Sequence, residues 1–274
     1  MTARVNRTRI LARQLVAAAA ITSLAGATHA ADWNFSITPY LWLPNIEANG
    51  STDSPPDTDD GGEPAYEVGP AEWLDNLNMV LMLAGEARRD RWSVRTDVIY
   101  LDLGNERAAV KSISGPGGEI EIPVNAGTSS SFEALEVQAT LGYWVVDEPG
   151  VSVELFGGVR YFDISFELDW EFDGPLDLLP QSGSVEQSTK PLDAIVGTNA
   201  RFALGNGKWF VPLHADVGAG DSSLTWQLTA GVGYSFSWGD LLFVYRHLEL
   251  EHDPVDVVES MALSGPAIGA SFRF

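Results

Sequence analysis

A histidine followed two residues later by a carboxylate occurs twice in this chain, as His214-Ala215-Asp216 and His247-Leu248-Glu249. Alternate residues of a strand share a face, so each imidazole stands beside its acid, a pairing that general-base catalysis uses. No motif places a serine beside His214 and Asp216. Oxygen ligands gather at Asp53, Asp57, Asp59 and Asp60, a set that suits Ca²⁺ or Mg²⁺. However, Pro55-Pro56 keeps that stretch extended and its spacing departs from the EF-hand pattern, so a solvated acidic loop is the better reading. The chain has no cysteine, which excludes disulfides and thiolate metal sites. Zinc-ligand spacing, a phosphate-binding glycine loop and a nucleophile elbow are all missing. Gly231-x-Gly233 lies within a strand, with no helix after it. The sequence therefore assigns no catalytic, metal or cofactor-binding residue, and no cofactor is expected.

A larger set of charges alternates with apolar residues along predicted strands. If the apolar face of each strand meets lipid, the inward set holds the acids Glu86, Asp97, Glu136, Glu154, Asp193 and Asp216. It also holds the bases Arg88, Arg95, Arg160, Arg201, Arg246 and Arg273, together with His214. Arg246 shares its face with Leu242, Val244 and Leu248, which makes its placement the least regular. Acids and arginines balance. The lumen is expected to be near neutral, either filled by paired side chains or open as a narrow channel.

Ten strands are predicted to carry these residues, at about 33–44, 77–88, 92–103, 132–146, 151–167, 192–204, 209–218, 224–237, 241–251 and 261–274. The strand at 224–237 alternates without an error over fourteen residues, longer than a usual soluble strand. Tight turns fall at Asp90, Pro149-Gly150, Asn206-Gly207 and Gly239. Most of the intervening connections are long: 45–76, 104–131, 168–191 and 252–260. Short turns on one side and long loops on the other describe an outer-membrane barrel with its short turns periplasmic. Trp33, Trp92, Trp144, Trp209 and Trp238 cluster near those turns, and Trp42, Tyr100, Tyr161 and Trp226 near the opposite ends. They are expected to form interface girdles.

The chain ends agree. Residues 1–30 carry Arg4, Arg7, Arg9 and Arg13, then an apolar run too short to span a bilayer, then small residues before Ala31. This is the form of a secretory signal peptide, leaving 31–274 as one barrel domain. Formal charge is −22, or about −26 without those arginines. That argues against a nucleic-acid partner, which needs clustered Lys and Arg. The acids concentrate in the predicted loops.

The ending, 264–274, resembles the C-terminal assembly strand of Gram-negative outer-membrane barrels, with Gly269, Phe272 and Phe274 matching and Ile268 standing where a polar residue is usual. The segments TPYLWLPNIEANG, LDNLNMVLMLAGEARRDRWSVRTDVIYLDLG and DVGAGDSSLTWQLTAGVGYSF resemble a group of uncharacterised bacterial outer-membrane β-barrel proteins. That resemblance implies an outer-membrane location and a barrel fold, but no established activity. The pair Arg246-His247 resembles lipid A deacylases only loosely, because Glu249 stands where their serine is expected. The expectation is therefore an all-β, monomeric transmembrane antiparallel up-and-down barrel of about ten strands, with 8 or 12 as alternatives. Its partners would be outer-membrane lipid, lipopolysaccharide and the barrel-assembly machinery. Its role would be structural or that of a narrow passive channel. A lipid-modifying enzyme and a periplasmic all-β binding protein are the alternatives.

Overall fold

The structure, a computed structural model, describes residues 33–49, 66–105, 128–171, 182–205, 207–251 and 260–274. The expected signal peptide, the acidic run 51–63 and His252 lie outside the described residues. In chain order the strands are β1 (Asn34–Trp42), β2 (Asn45–Asn49), β3 (Tyr66–Val68), β4 (Leu77–Arg89), β5 (Trp92–Asn105), β6 (Thr128–Glu148) and β7 (Val151–Glu171). They continue as β8 (Ser182–Thr189), β9 (Leu192–Leu204), β10 (Trp209–Gly220), β11 (Leu224–Ser235), β12 (Gly239–Glu251) and β13 (Ser260–Arg273). A short helix, α1 (Pro70–Leu74), precedes β4.

Ten of these strands form a ring in the order β1-β4-β5-β6-β7-β9-β10-β11-β12-β13, and β13 pairs back onto β1. Every neighbouring pair is antiparallel. Followed once round, the register returns displaced by about twelve residues, which for ten strands corresponds to a tilt of about 40°. No strand edge is left open along the ring, the condition a sheet must meet in hydrocarbon.

The remaining strands extend the wall at its loop end. β2 continues β1 beyond Leu43-Pro44 and pairs with the upper part of β13, while β3 returns against β2. β8 stands above β9 and pairs with β7 from Ile164 onward. Lys190-Pro191 separates the two, and the Phe162 amide donates to the Pro191 carbonyl at 2.9 Å. β6 and β7 accordingly run 21 residues each, longer than the alternation alone suggested, because β8 supplies a partner where the ring no longer does.

Alternation sorts the side chains. Val94, Leu141, Leu155, Val196, Phe243 and Ile268 point outward with half or more of their surface exposed, and together they make an apolar belt. A wall this apolar is stable against lipid rather than water. The chain is a transmembrane β-barrel.

The interior has two storeys. The half near the tight turns is charged. The half near the long loops is an apolar core of Trp42, Met82, Ile99, Phe162, Leu248 and Leu250. Trp73 of α1 reaches into this core, where it is buried and its indole N–H donates to the Pro44 carbonyl at 2.9 Å. A cavity of about 60 Å³ remains beside it. Assigning apolar residues uniformly to lipid misses this upper storey.

Candidate functional site: the polar plug of the bore

Arg246 on β12 and Glu136 on β6 stand opposite each other in the ring of ten. Their side chains meet across the bore, with Arg246 Nη2 donating to both Glu136 oxygens at 3.1 and 3.2 Å. Arg246 Nη2 also donates to Gln227 at 2.8 Å, and its Nη1 donates to Asp97 at 3.0 Å and to the Tyr40 hydroxyl at 3.2 Å. The guanidinium lies 4.6 Å above the Trp42 ring. Tyr40 in turn donates to Asp97 at 2.7 Å. Each strand delivers its residue inward by parity: Tyr40 and Trp42 on β1, Asp97 two before Ile99 on β5, Glu136 two before Gln138 on β6.

Arg160 on β7 is fully buried beside this pair. It donates to both oxygens of Asp216 at 2.7 and 2.9 Å, to Gln138 at 3.1 Å, to Gln227 at 3.2 Å and to Thr225 at 3.1 Å. Its Nε stands 3.5 Å from Glu136. A buried guanidinium is tolerable only when its charge is met and most of its donors are paired; here Nε alone lacks a hydrogen-bond partner. Asp216 also lies 2.7 Å from His214 Nε2, and His214 Nδ1 lies 2.7 Å from Asn199. Both imidazole nitrogens are therefore engaged, so the His214-Asp216 pair serves the plug and leaves no nitrogen for a nucleophile.

The chain of contacts continues toward the turns. Asn199 donates to Glu154 at 2.9 Å, and Glu154 also accepts from Arg95 at 2.8 Å and from Ser93. Arg95 reaches Glu86 at 3.0 Å. At the mouth, Asp240 accepts from Arg201 at 3.0 Å, Ser235 at 2.6 Å and Arg273 at 2.7 Å, and Arg88 pairs with Asp147. Asp193 stands apart at the loop end, buried, accepting from the Ser222 amide at 2.8 Å.

Of the charges read inward from the sequence, Glu136, Glu154, Arg160, Asp193, Asp216 and Arg246 are buried. Asp240, Gln138, Asn199 and Tyr40 also take part in these contacts, and the sequence reading left them out; Gln227 joins them from the polar face of its strand. Shared parity with Arg246, Glu136, Thr229, Arg201 and Thr38 was the available signal.

The aromatic set divides. Trp92, Trp209 and Trp238 are exposed on the outer wall near the turns, and Trp33 is exposed just before β1. Tyr100, Tyr161 and Trp226 lie on outward positions nearer the loops. Trp42 and Trp144 do not belong to a girdle. Both are buried inside the barrel, because each shares parity with inward neighbours, Tyr40 and Gly142 respectively. Their ring faces hold arginines: Arg246 over Trp42, and Arg88 at 4.4 Å over Trp144. Phe210 is likewise inside, under Arg201 and against Gly233. Gly269 and Phe272 fall on the closing strand and Phe274 directly follows it, with Gly269 opposite Tyr40 in register. Among the described residues no cluster of three or more metal-ligating side chains occurs.

No family model matches the chain. No curated protein matches it. Three solved structures illustrate what it is similar to. The translocator domain of autotransporter NalP from Neisseria meningitidis is 15% identical, over 97% of this chain and 96% of that one, with a TM-score of 0.40. Ail, the attachment invasion locus protein of Yersinia pestis, is 10% identical over 89% and 99%, with a TM-score of 0.36. The Pseudomonas putida toluene transporter TodX is 9% identical over 88% and 89%, with a TM-score of 0.31. At these values the assignment rests on the strand pairings of this chain itself: it is a closed, ten-stranded antiparallel transmembrane β-barrel.

Proposed function

We propose that this protein is a monomeric barrel of the Gram-negative outer membrane, closed at mid-bore by a side-chain plug, and that its role in this state is structural. The observation that carries this reading is the Arg246–Glu136 bridge between opposite walls, reinforced by Arg160 and Asp216. A bore crossed from wall to wall by paired charges is obstructed to solutes. Displacing the network would leave a narrow passive channel, the second form the same architecture supports. The basic, then apolar, then small-residue pattern of 1–30 supports export. The terminal Phe274 supports insertion by the barrel-assembly machinery, and the apolar belt supports contact with lipid and lipopolysaccharide. A periplasmic binding protein would expose that belt to water at a large cost.

Fractionation and single-channel recording test the proposal together. The mature protein should travel with the outer membrane, migrate differently on gels when boiled, and show almost no conductance in planar bilayers. Soluble recovery without heat-dependent mobility would overturn the membrane reading. A steady open-pore conductance in the unmodified protein would overturn the plugged state.

A further inference from the structure

His247 and Glu249 lie on the outer wall of β12, and directly across the β12–β13 ladder from His247 stands Ser264. The Ser264 hydroxyl is 2.5 Å from His247 Nδ1, and His247 Nε2 is 3.4 Å from Glu249 Oε2. The Trp226 indole N–H donates to the same Glu249 oxygen at 3.0 Å, and its ring packs against the imidazole with centroids 4.4 Å apart. With Nε2–H directed at the carboxylate, Nδ1 is left bare to accept from Ser264. Nucleophile, base and orienting acid are thus in sequence, the arrangement that activates a serine.

The position is as telling as the geometry. These groups face outward, just beyond Tyr245, Phe243 and Ile268 of the apolar belt and before the strand ends at Glu251 and Ser260. Polar side chains facing hydrocarbon are costly, whereas at the edge of the belt they meet the headgroup boundary, where the acyl esters of lipids lie. His247 and Glu249 keep 26% and 28% of their side-chain surface open. Asn45 of β2 pairs with Ser264 from the other side of β13.

We propose that Ser264, His247 and Glu249 form a serine esterase site on the outside of the barrel, acting on the carboxylic acyl ester of a membrane lipid. The proposal rests on the membrane reading above. Ser264 Oγ attacks the ester carbonyl carbon while its proton passes to His247 Nδ1. The tetrahedral oxyanion collapses, the C–O bond to the lipid breaks, and the leaving alkoxide takes that proton and departs as an alcohol. Water then attacks the acyl-serine with His247 as base. The fatty acid is released and Ser264 recovers its proton. Glu249 is a positioning residue, holding the tautomer and ring plane of His247.

The test uses the mature barrel inserted in vesicles, with insertion checked by heat-dependent mobility. One arm contains diacyl phosphatidylethanolamine and phosphatidylglycerol, a second contains lipopolysaccharide, and a third contains ether-linked phospholipid. Fatty acid is measured by mass spectrometry, and Ser264 is probed by a fluorophosphonate with peptide mapping. Release is expected from an ester arm and not from the ether arm, with the label on Ser264. The arm that releases acid identifies the lipid source. Ser264→Ala and His247→Ala should each lose activity by about a hundredfold or more, with mobility unchanged. Glu249→Gln should lower kcat about tenfold without raising KM, and Glu249→Asp should recover part of it. Inserted barrel that releases no acid and takes no label, or Ser264→Ala as active as the parent, would overturn the proposal. Failure to insert in any vesicle would remove the membrane reading and this site with it.

Discussion

Phe274 exchanges both backbone hydrogen bonds with Phe35, each amide donating to the other's carbonyl at 3.0 Å, and the two rings stack 6.2 Å apart. The last residue of the chain therefore fastens the last strand to the first. Deleting Phe274 should remove that pair and the aromatic on which the resemblance to an assembly strand rests. In cells the assembled, heat-modifiable fraction should fall severalfold, while purified protein still refolds into detergent, because the remaining β1–β13 ladder is intact. Normal assembly in cells would show that the terminal aromatic carries no signal.

The plug makes a second prediction. Arg246→Ala strands Glu136 with only the longer Arg160 contact and should cost about 3–5 kcal/mol, as breaking a buried pair does. Replacing Arg246 and Glu136 together by Met should cost clearly less. Denaturant refolding measures both. In planar bilayers Arg246→Ala should conduct where the parent does not. If it stays silent, other side chains close the bore.

Selectivity of that opened variant should follow the acidic loops. Residues 51–63 carry five carboxylates and no base, and such a field gathers cations at a mouth. Mild cation preference is expected at 0.1 M salt, where screening acts over ~10 Å, and it should fade toward 1 M. Deleting 51–63 should weaken it. Anion preference would place control in the lumen instead.

Val232 and Gly233 test the wall. Val232 faces outward, so Val232→Arg should cost up to ~2–4 kcal/mol near the midplane. The alternation alone suggests that a small substitution at inward Gly233 is cheap. It is not, because an added Cβ there would meet the Phe210 ring. Gly233→Ser should destabilise measurably, and Phe210→Leu should relieve part of the loss. Equal refolding stability of Gly233→Ser and the parent would show that the ring has room to shift.

These cases mark what alternation can and cannot reveal. The ten ring strands were legible because parity has a period of two residues and needs no partner. Trp42 and Trp144 were misplaced because proximity to a strand end was weighed above parity. The apolar upper storey was invisible for a related reason: Leu248 and Leu250 are as apolar as a lipid-facing pair, and only Arg246 on their face hinted otherwise. Ser264 was missed since it is adjacent to His247 only across a ladder. Register between strands is not written in either strand alone.

The opposed placement of Glu136 and Arg246 also sets an order of events. Glu136 belongs to the fourth strand of the ring and Arg246 to the ninth, so while the sheet is still an open ribbon Glu136 has only the longer contact to Arg160 on the next strand, and Arg246 lacks the carboxylates across the bore. A half-built barrel must keep these groups wet, which favours growth around a water-filled interior. Drying of the bore and zipping of β13 onto β1 then become one cooperative step. An incomplete barrel betrays itself by the charges it cannot yet neutralise.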